Sequence, residues 1–275
     1  MSYTDKQLKE KRQTLFLVTA GFVVKIILEP SENVVFKRRL IDSIGQVWGP
    51  GNFLISSSKS ANFEIYVTFG VGKMKILEKE KGLRQYYLTF QKEYDRRRVT
   101  TFYTVSVAAL NIQLRDIFMF LLKDDGFIMH GSSSLDRKGL LNVFLAEPGG
   151  GKTTLVRLLS QVGFEQFSDD MLIVRKVKGR WVYFSPPFIE KYGLPVKRKS
   201  KKARFFFVKK GKKPSIREIS SKVKILKLFF KQVWLAKERV DKQTLKNVIS
   251  FVSDNKFYEL ESILDAKSIK RLLYE

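Results

Sequence analysis

From Thr14 to about Leu110 the apolar positions alternate with polar ones or run in short blocks, and beyond that point they recur at helical spacing. TLFLVTAGFVVKIIL, ANFEIYVTFG, GKMKILEKEKGLRQYYLTFQKEY and RRVTTFYTVSVAAL are rich in β-branched and aromatic residues and predict strands. Lys81-Gly82 predicts a hairpin turn inside the third. Residues 1 to 12 predict a frayed or helical arm, and Phe36 to Ile44 a short helix. The run Leu15 to Leu28 is broken by Gly21 and Lys25 and is too short for a bilayer span, so it belongs with the strands.

Asn111 is of a type that caps helices, and it precedes IQLRDIFMFLLK, whose apolar residues cover most of a helix surface; this predicts a buried helix. Phe127 to Met129 predicts a strand, the serines after it a polar turn, and LLNVFLA a buried strand. Beyond Asp170, MLIVRKVKGRWVYF predicts a hairpin turning at Lys178-Gly179, and the prolines and glycine of SPPFIEKYGLP predict an irregular stretch. Ser220 or Ser221 can cap a helix to about Ala236, and Asp241 another to about Phe251. NKFYELES predicts a strand, and Asp265 opens a terminal helix. The pattern thus divides the chain into a β-rich N-terminal region, residues 1–110, and an α/β domain, residues 111–275.

The chemistry concentrates between His130 and Asp170. Ala146 to Thr153 reads A-E-P-G-G-G-K-T, the phosphate-loop pattern G-x-x-x-x-G-K-[ST] with alanine for the first glycine. Gly149, Gly150 and Gly151 free the backbone to turn successive N–H groups inward, and the helix predicted after them adds its positive dipole end. The candidate nucleotide-binding residues are therefore Ala146, Glu147, Pro148, Gly149, Gly150, Gly151, Lys152, Thr153 and Thr154, with Lys152 on the β and γ phosphates and the Thr153 hydroxyl on Mg²⁺. Asp169-Asp170 ends the next short strand, where a carboxylate pair can supply one metal-associated group and one base. His130, the single histidine, lies just upstream.

Composition narrows the reading further. The 275 residues contain no cysteine, which removes disulfides, thiolate nucleophiles and cysteine-held metals, and suits a cytoplasmic protein. A net charge of +25 invites an anionic partner. Ten of the seventeen residues from Lys197 to Lys213 are Lys or Arg, which is compatible with a solvated basic loop flanking a strand at Arg204 to Val208, with a nucleic-acid surface, or with a seat for an acidic protein or anionic substrate. Phe205 to Phe207 read as strand core.

M-H-G-S-S, then A-E-P-G-G-G-K-T-T, then G-F-E-Q-F-S-D-D resembles the catalytic domain of HPr kinase/phosphorylase and its relatives in the phosphoenolpyruvate-carboxykinase-like group, over roughly Asn111 to Lys213. Asp170 follows Lys152 by 170 − 152 = 18 positions, as in that family, and Gly163 stands where its helix-ending glycine belongs. Thr154 replaces the family's glutamate, Ala146 its first loop glycine, and the family's substrate-gripping segment has no counterpart here. The resemblance implies an α/β phosphate-loop kinase core, a mixed sheet flanked by helices. It implies Asp170 as general base, Asp169 as its metal-linked neighbour, His130 as a contact to the transferring group, and Glu190 as a further metal ligand. The expected function is a kinase that uses ATP and Mg²⁺ to phosphorylate a hydroxyl, a protein serine or a small alcohol. The alternative is a nucleotide-binding accessory protein whose basic surface holds nucleic acid or an anionic partner.

Overall fold

In this computed structural model the described residues are 3–56, 60–67, 90–93, 98–101, 107–189, 195–235, 242–263 and 265–274. They divide into two compact units, Met1–Ile117 and Phe118–Glu275.

In the first unit, Thr4 and Gln7 form a reciprocal capping box on α1 (Asp5–Glu10). β1 (Gln13–Thr19) and β2 (Phe22–Leu28) make a hairpin through Ala20 and Gly21, both at positive φ as a tight two-residue turn requires. α2 (Val34–Trp48) is capped by Asn33 and outruns the predicted Phe36 to Ile44, because Ile44 and Trp48 prolong the buried face begun by Leu40 and Ile41. With β3 (Leu54–Ile55), β4 (Phe63–Val67), β5 (Phe90–Glu93) and β6 (Arg98–Thr101) the hairpin forms a mixed sheet in the order β3-β1-β2-β4-β6-β5. Lys81-Gly82 lies outside the described residues.

α3 (Val107–Leu122) corrects two expectations. Val107 to Leu110 is helical rather than the end of a strand, and Asn111 sits inside the helix instead of capping it. Ala108, Ala109 and Leu110 are strong helix formers, and Leu110, Leu114, Ile117 and Phe118 share one buried stripe, so the helix starts earlier than the asparagine suggests. On the opposite side Ile112 is 57% exposed, while Asp116 and Met119 are half-buried.

The second unit holds β7 (Gly126–His130), β8 (Ser132–Leu135), β9 (Leu141–Leu145), α4 (Lys152–Ser160), β10 (Glu165–Ser168), β11 (Met171–Val177) and β12 (Arg180–Phe184). After them come β13 (Lys199–Ser200), β14 (Ala203–Lys210), β15 (Ser215–Glu218), α5 (Lys222–Phe230), α6 (Lys242–Asp254), β16 (Phe257–Ser262) and α7 (Ala266–Tyr274). The central sheet runs β10-β8-β9-β14-β16-β15, with β9, β14 and β16 mutually parallel and the outer strands antiparallel. A second sheet, β13-β12-β11-β7, is antiparallel. The architecture is mixed α/β.

Alternation along β14 shows how the layers assemble. Phe206 stacks on Phe144 and faces a core with Leu155, Val156 and Leu159 of α4 and Ile269 and Leu273 of α7. Phe205 and Phe207 face the other way, into a core with Phe127, Leu172 and Trp181 of the second sheet and Ile225, Phe229 and Phe251 of α5 and α6. The three phenylalanines are thus buried in the middle of the sheet, and the stretch Lys197 to Lys213 is not one solvated loop. Its lysines fall into two groups, one before β14 and one that begins with the strand's last two residues, Lys209 and Lys210.

The serines after His130 form β8 rather than a polar turn. Ser133 Oγ meets Ser168 Oγ at 2.7 Å across the β8–β10 pair, so that buried hydroxyl pair is satisfied inside the sheet. Ser221 caps α5 as expected, but the helix stops at Phe230 rather than near Ala236. Gln232 to Leu235 instead lies along β7, with a bridge between Met129 and Val233 and Trp234 N donating to Ile128 O. Asp241 lies outside the described residues. Asp265 accepts from Lys267 N and Ser268 Oγ at the start of α7.

Candidate functional site

The site lies within the second unit, at the C-terminal edge of the parallel strands, where open α/β sheets bind their ligands. β9 is buried along its whole length and delivers the chain at Ala146 into the glycine loop. α4 begins at Lys152, so Gly151 is its N-cap, with φ 89° in the left-handed region. Gly149 has φ 78°. These angles suit glycine, and Gly150 N–H closes the turn by donating to Glu147 O at 2.9 Å.

Ala146 in place of the first loop glycine is accommodated by Gly150. A Cβ added at residue 150 would stand 2.5 Å from the Ala146 methyl and 2.9 Å from Glu147 O. The middle glycine is needed for space and its neighbours for their backbone angles.

Lys152 folds over the loop, with Nζ donating to Ala146 O at 2.5 Å and Glu147 O at 3.3 Å. Burial pulls its pKa below the usual lysine value, while the charges of Asp170 and Asp169 act in the opposite sense and help hold the proton. The lysine and the aspartates, seventeen and eighteen positions further on, are therefore within electrostatic reach of each other.

The aspartates sit in the bend between β10 and β11, where the chain leaves the central sheet for the second one. Backbone bonds hold the bend. Ser132 Oγ donates to Asp169 O, and Gly131 N donates to Asp170 O at 2.8 Å. The two carboxylates are unlike, since Asp169 is 2% exposed while the Asp170 side chain is 55% exposed.

His130 closes the group. It pairs in register with Met171, the residue after Asp170, and its Nδ1 is 3.8 Å from Asp170 Oδ1. Its backbone N–H donates to Gln232 O at 2.6 Å, and its ring meets Trp234 edge-on with centroids 5.2 Å apart. Gln232, Trp234 and Ser132 have no sequence signal of their own as site residues, because each acts through a partner far away in the chain.

Glu147, exposed in the loop, pairs with Lys231 just after α5 at 2.9 Å, and that hydrogen bond and charge hold its carboxyl below the usual range. Thr153 is half-buried at the start of α4, and Thr154 is exposed. Glu190 lies outside the described residues.

No group of three or more His, Cys, Asp or Glu side chains able to hold a metal occurs among the described residues. The donors on hand, the Thr153 hydroxyl and the aspartates, are hard oxygens, few in number. That set fits Mg²⁺, which takes one or two carboxylates and completes its shell with water and phosphate oxygens. Glycines, helix N-terminus and a lysine fit a polyphosphate.

No protein-family model matches the chain, and no curated protein matches it. Among solved structures, the HPr(Ser) kinase/phosphatase from Coxiella burnetii matches with a TM-score of 0.33 and 12% identity, over 54% of this chain and 93% of that one. This is a distant likeness, and the functional reading rests on the residues described above. No helix among the described residues is long and apolar enough to cross a membrane.

Proposed function

We propose that this protein is an ATP- and Mg²⁺-dependent, HPr-kinase-like phosphotransferase that moves the γ-phosphoryl group to a hydroxyl, on a protein serine or a small alcohol. The carrying observation is the gathering of a glycine-rich loop with its lysine, an aspartate pair and the single histidine where the chain passes from the central sheet to the second one.

In this reading the amides between Ala146 and Thr154 cradle the phosphates, apart from Pro148, which has no N–H, and Gly150, whose N–H donates to Glu147 O. Lys152 exchanges its two loop carbonyls for β and γ oxygens, whose charge it offsets as the transfer proceeds. Thr153 and Asp169, with Glu190 as a further ligand, would hold Mg²⁺, which would neutralise phosphate charge when bound. Asp170, the exposed member of the pair, takes the proton from the acceptor hydroxyl as its oxygen forms the bond to phosphorus and ADP leaves. His130 borders Asp170 and contacts the transferring group, with Trp234 and the Gln232 carbonyl fixing its place.

The test is to incubate the protein with γ-labelled ATP and a cell extract, beside Asp170→Asn. The wild type is expected to label an acceptor, and the variant to lose at least about a thousandfold in rate while still binding ATP. Equal labelling by the variant overturns the base assignment. Nucleotide binding with no labelled acceptor overturns the kinase reading in favour of the accessory role.

A further inference from the structure

The lysines of α5 and the end of β14 are not absorbed by the phosphate site, and their arrangement is specific. At 100° per residue, Lys224 and Lys227 of α5 and its C-cap Lys231 fall within an arc of about 60°, on the side of the helix turned away from the buried Ile225 and Phe229. The two ends of that row are anchored at different places on the sheet. Lys224 Nζ reaches Glu259 Oε1 of β16 at 2.6 Å, and Lys231 Nζ reaches Glu147 Oε1 of the glycine loop at 2.9 Å. The row therefore crosses the face of the sheet and ends at the loop. Lys209 of β14 adds a fourth ammonium, 3.4 Å from the same Glu259 oxygen. All four lysines are exposed, three of them with half or more of their side chains open to solvent.

We infer that this lysine track is a docking surface for an acidic segment of a polypeptide acceptor, leading its hydroxyl toward Asp170 and His130; the inference rests on the phosphotransferase reading of the site and supplies its substrate class. Three observations favour a peptide over nucleic acid. The track already holds carboxylates at both ends, Glu259 and Glu147, so an acceptor's Asp or Glu side chains meet the same geometry. Val223, 66% exposed, borders Lys227 on the same side of α5 and offers an apolar contact that a peptide side chain can fill. No exposed aromatic platform lines the track. Among the described residues the exposed large aromatic is Tyr274, on α7, which packs against the opposite face of the central sheet.

The lysines at the far end of β14 provide an internal control. Lys201 and Lys202 precede Ala203, which pairs with Leu141 at the start of β9, while Phe207 pairs with Leu145 just before the loop. Seven strand steps, roughly 23 Å, therefore separate Ala203 from Lys210.

The experiment is fluorescence anisotropy of the full chain, at physiological ionic strength, with a labelled peptide of alternating glutamate and serine carrying one leucine. A single-stranded oligothymidylate of equal charge serves as competitor. Saturable peptide binding to wild type is expected, weakened about tenfold or more in Lys224→Glu/Lys227→Glu and within about twofold of wild type in Lys201→Glu/Lys202→Glu. Lys227→Glu alone, which leaves the Glu259 pair intact, is expected to weaken binding about threefold, so the test survives any effect of Lys224 on folding. No binding to wild type, equal binding by both Lys227 variants, or tighter binding of the oligothymidylate than of the peptide overturns the inference. A fluorescent ATP analogue is read in parallel. Its failure to bind wild type defeats the phosphotransferase reading whatever the peptide does, whereas peptide failure with nucleotide binding intact defeats the track alone.

Discussion

At the scale of single residues, the glycine loop shows two distinct uses of a missing side chain. Gly149 and Gly151 are at positive φ, whereas Gly150 faces the Ala146 methyl and the Glu147 carbonyl at distances no Cβ tolerates. Gly150→Ala is therefore expected to displace the loop at a cost of about 1–3 kcal/mol and to weaken nucleotide binding. Adding Ala146→Gly removes the nearer clash and is expected to recover part of that binding, whereas Ala146→Gly in the wild-type background changes little. Nucleotide titration of the single and double variants reads this directly, and a double variant no better than Gly150→Ala contradicts the steric account. The residue pattern made the loop legible in the sequence. The partnership of positions 146 and 150 became visible only in three dimensions.

At the scale of elements, four of the cations serve helix ends. Helix C-termini leave carbonyls without intrahelical partners, and a cation nearby both donates to them and offsets the dipole. Lys37 Nζ donates to Leu8 O and Lys11 O at the end of α1, and Lys222 Nζ to Val252 O, Ser253 O and Asn255 O at the end of α6. Lys270 does the same for Val162 O after α4, and Arg204, whose guanidinium lies over Phe206, for Leu273 O of α7. Reading charge as surface thus overstated what it says about partners.

Lys37 is fully buried, and burial brings its pKa down to about 8. Between about pH 8 and the ordinary lysine value of 10.5 the unfolded chain holds a proton that the folded chain has released, so this group makes stability rise with pH across that window. Lys37→Met leaves two carbonyls without their donor and is expected to destabilise the protein by about 1–3 kcal/mol. Its melting curve should also lack the wild type's relative gain between pH 8 and 10. Parallel pH profiles for the two proteins contradict this account.

The same scale explains which elements could be read from sequence. β9, α4, the β11–β12 hairpin and β16 have patterns complete within their own residues. α3 and α5 were placed correctly but bounded wrongly. Asn111 looked like a cap because its side-chain type suits one, although the buried stripe had already begun at Leu110. α5 gave way to an extended stretch because β7 offers Gln232 to Trp234 better-placed hydrogen bonds. β8 was hidden by its serines, two of which, Ser132 and Ser133, find partners only in Asp169 and Ser168, far along the chain.

At the scale of the whole molecule, strand order is a matter of long-range pairing and was not legible. Nothing local in Ala203 to Lys210 marks it as the middle of a sheet, since lysines crowd both of its ends. That middle position carries the functional argument. It divides the basic stretch between opposite edges and sets Lys209 near the glycine loop and Lys201 away from it. The sequence separations among Lys152, Asp170 and His130 were visible from the start, but their convergence depends on the chain passing from the central sheet to the second sheet at Asp169-Asp170.

The central claim is that this edge receives the phosphates of a nucleotide, with Lys152 as their charged partner. Calorimetric titration of Mg·ATP into wild type and Lys152→Ala tests it most directly. One site is expected on the wild type, weakened roughly tenfold to a hundredfold by loss of a charge-assisted hydrogen bond worth about 1.5–3 kcal/mol. Equal affinity in the two proteins, with the fold intact, contradicts the claim.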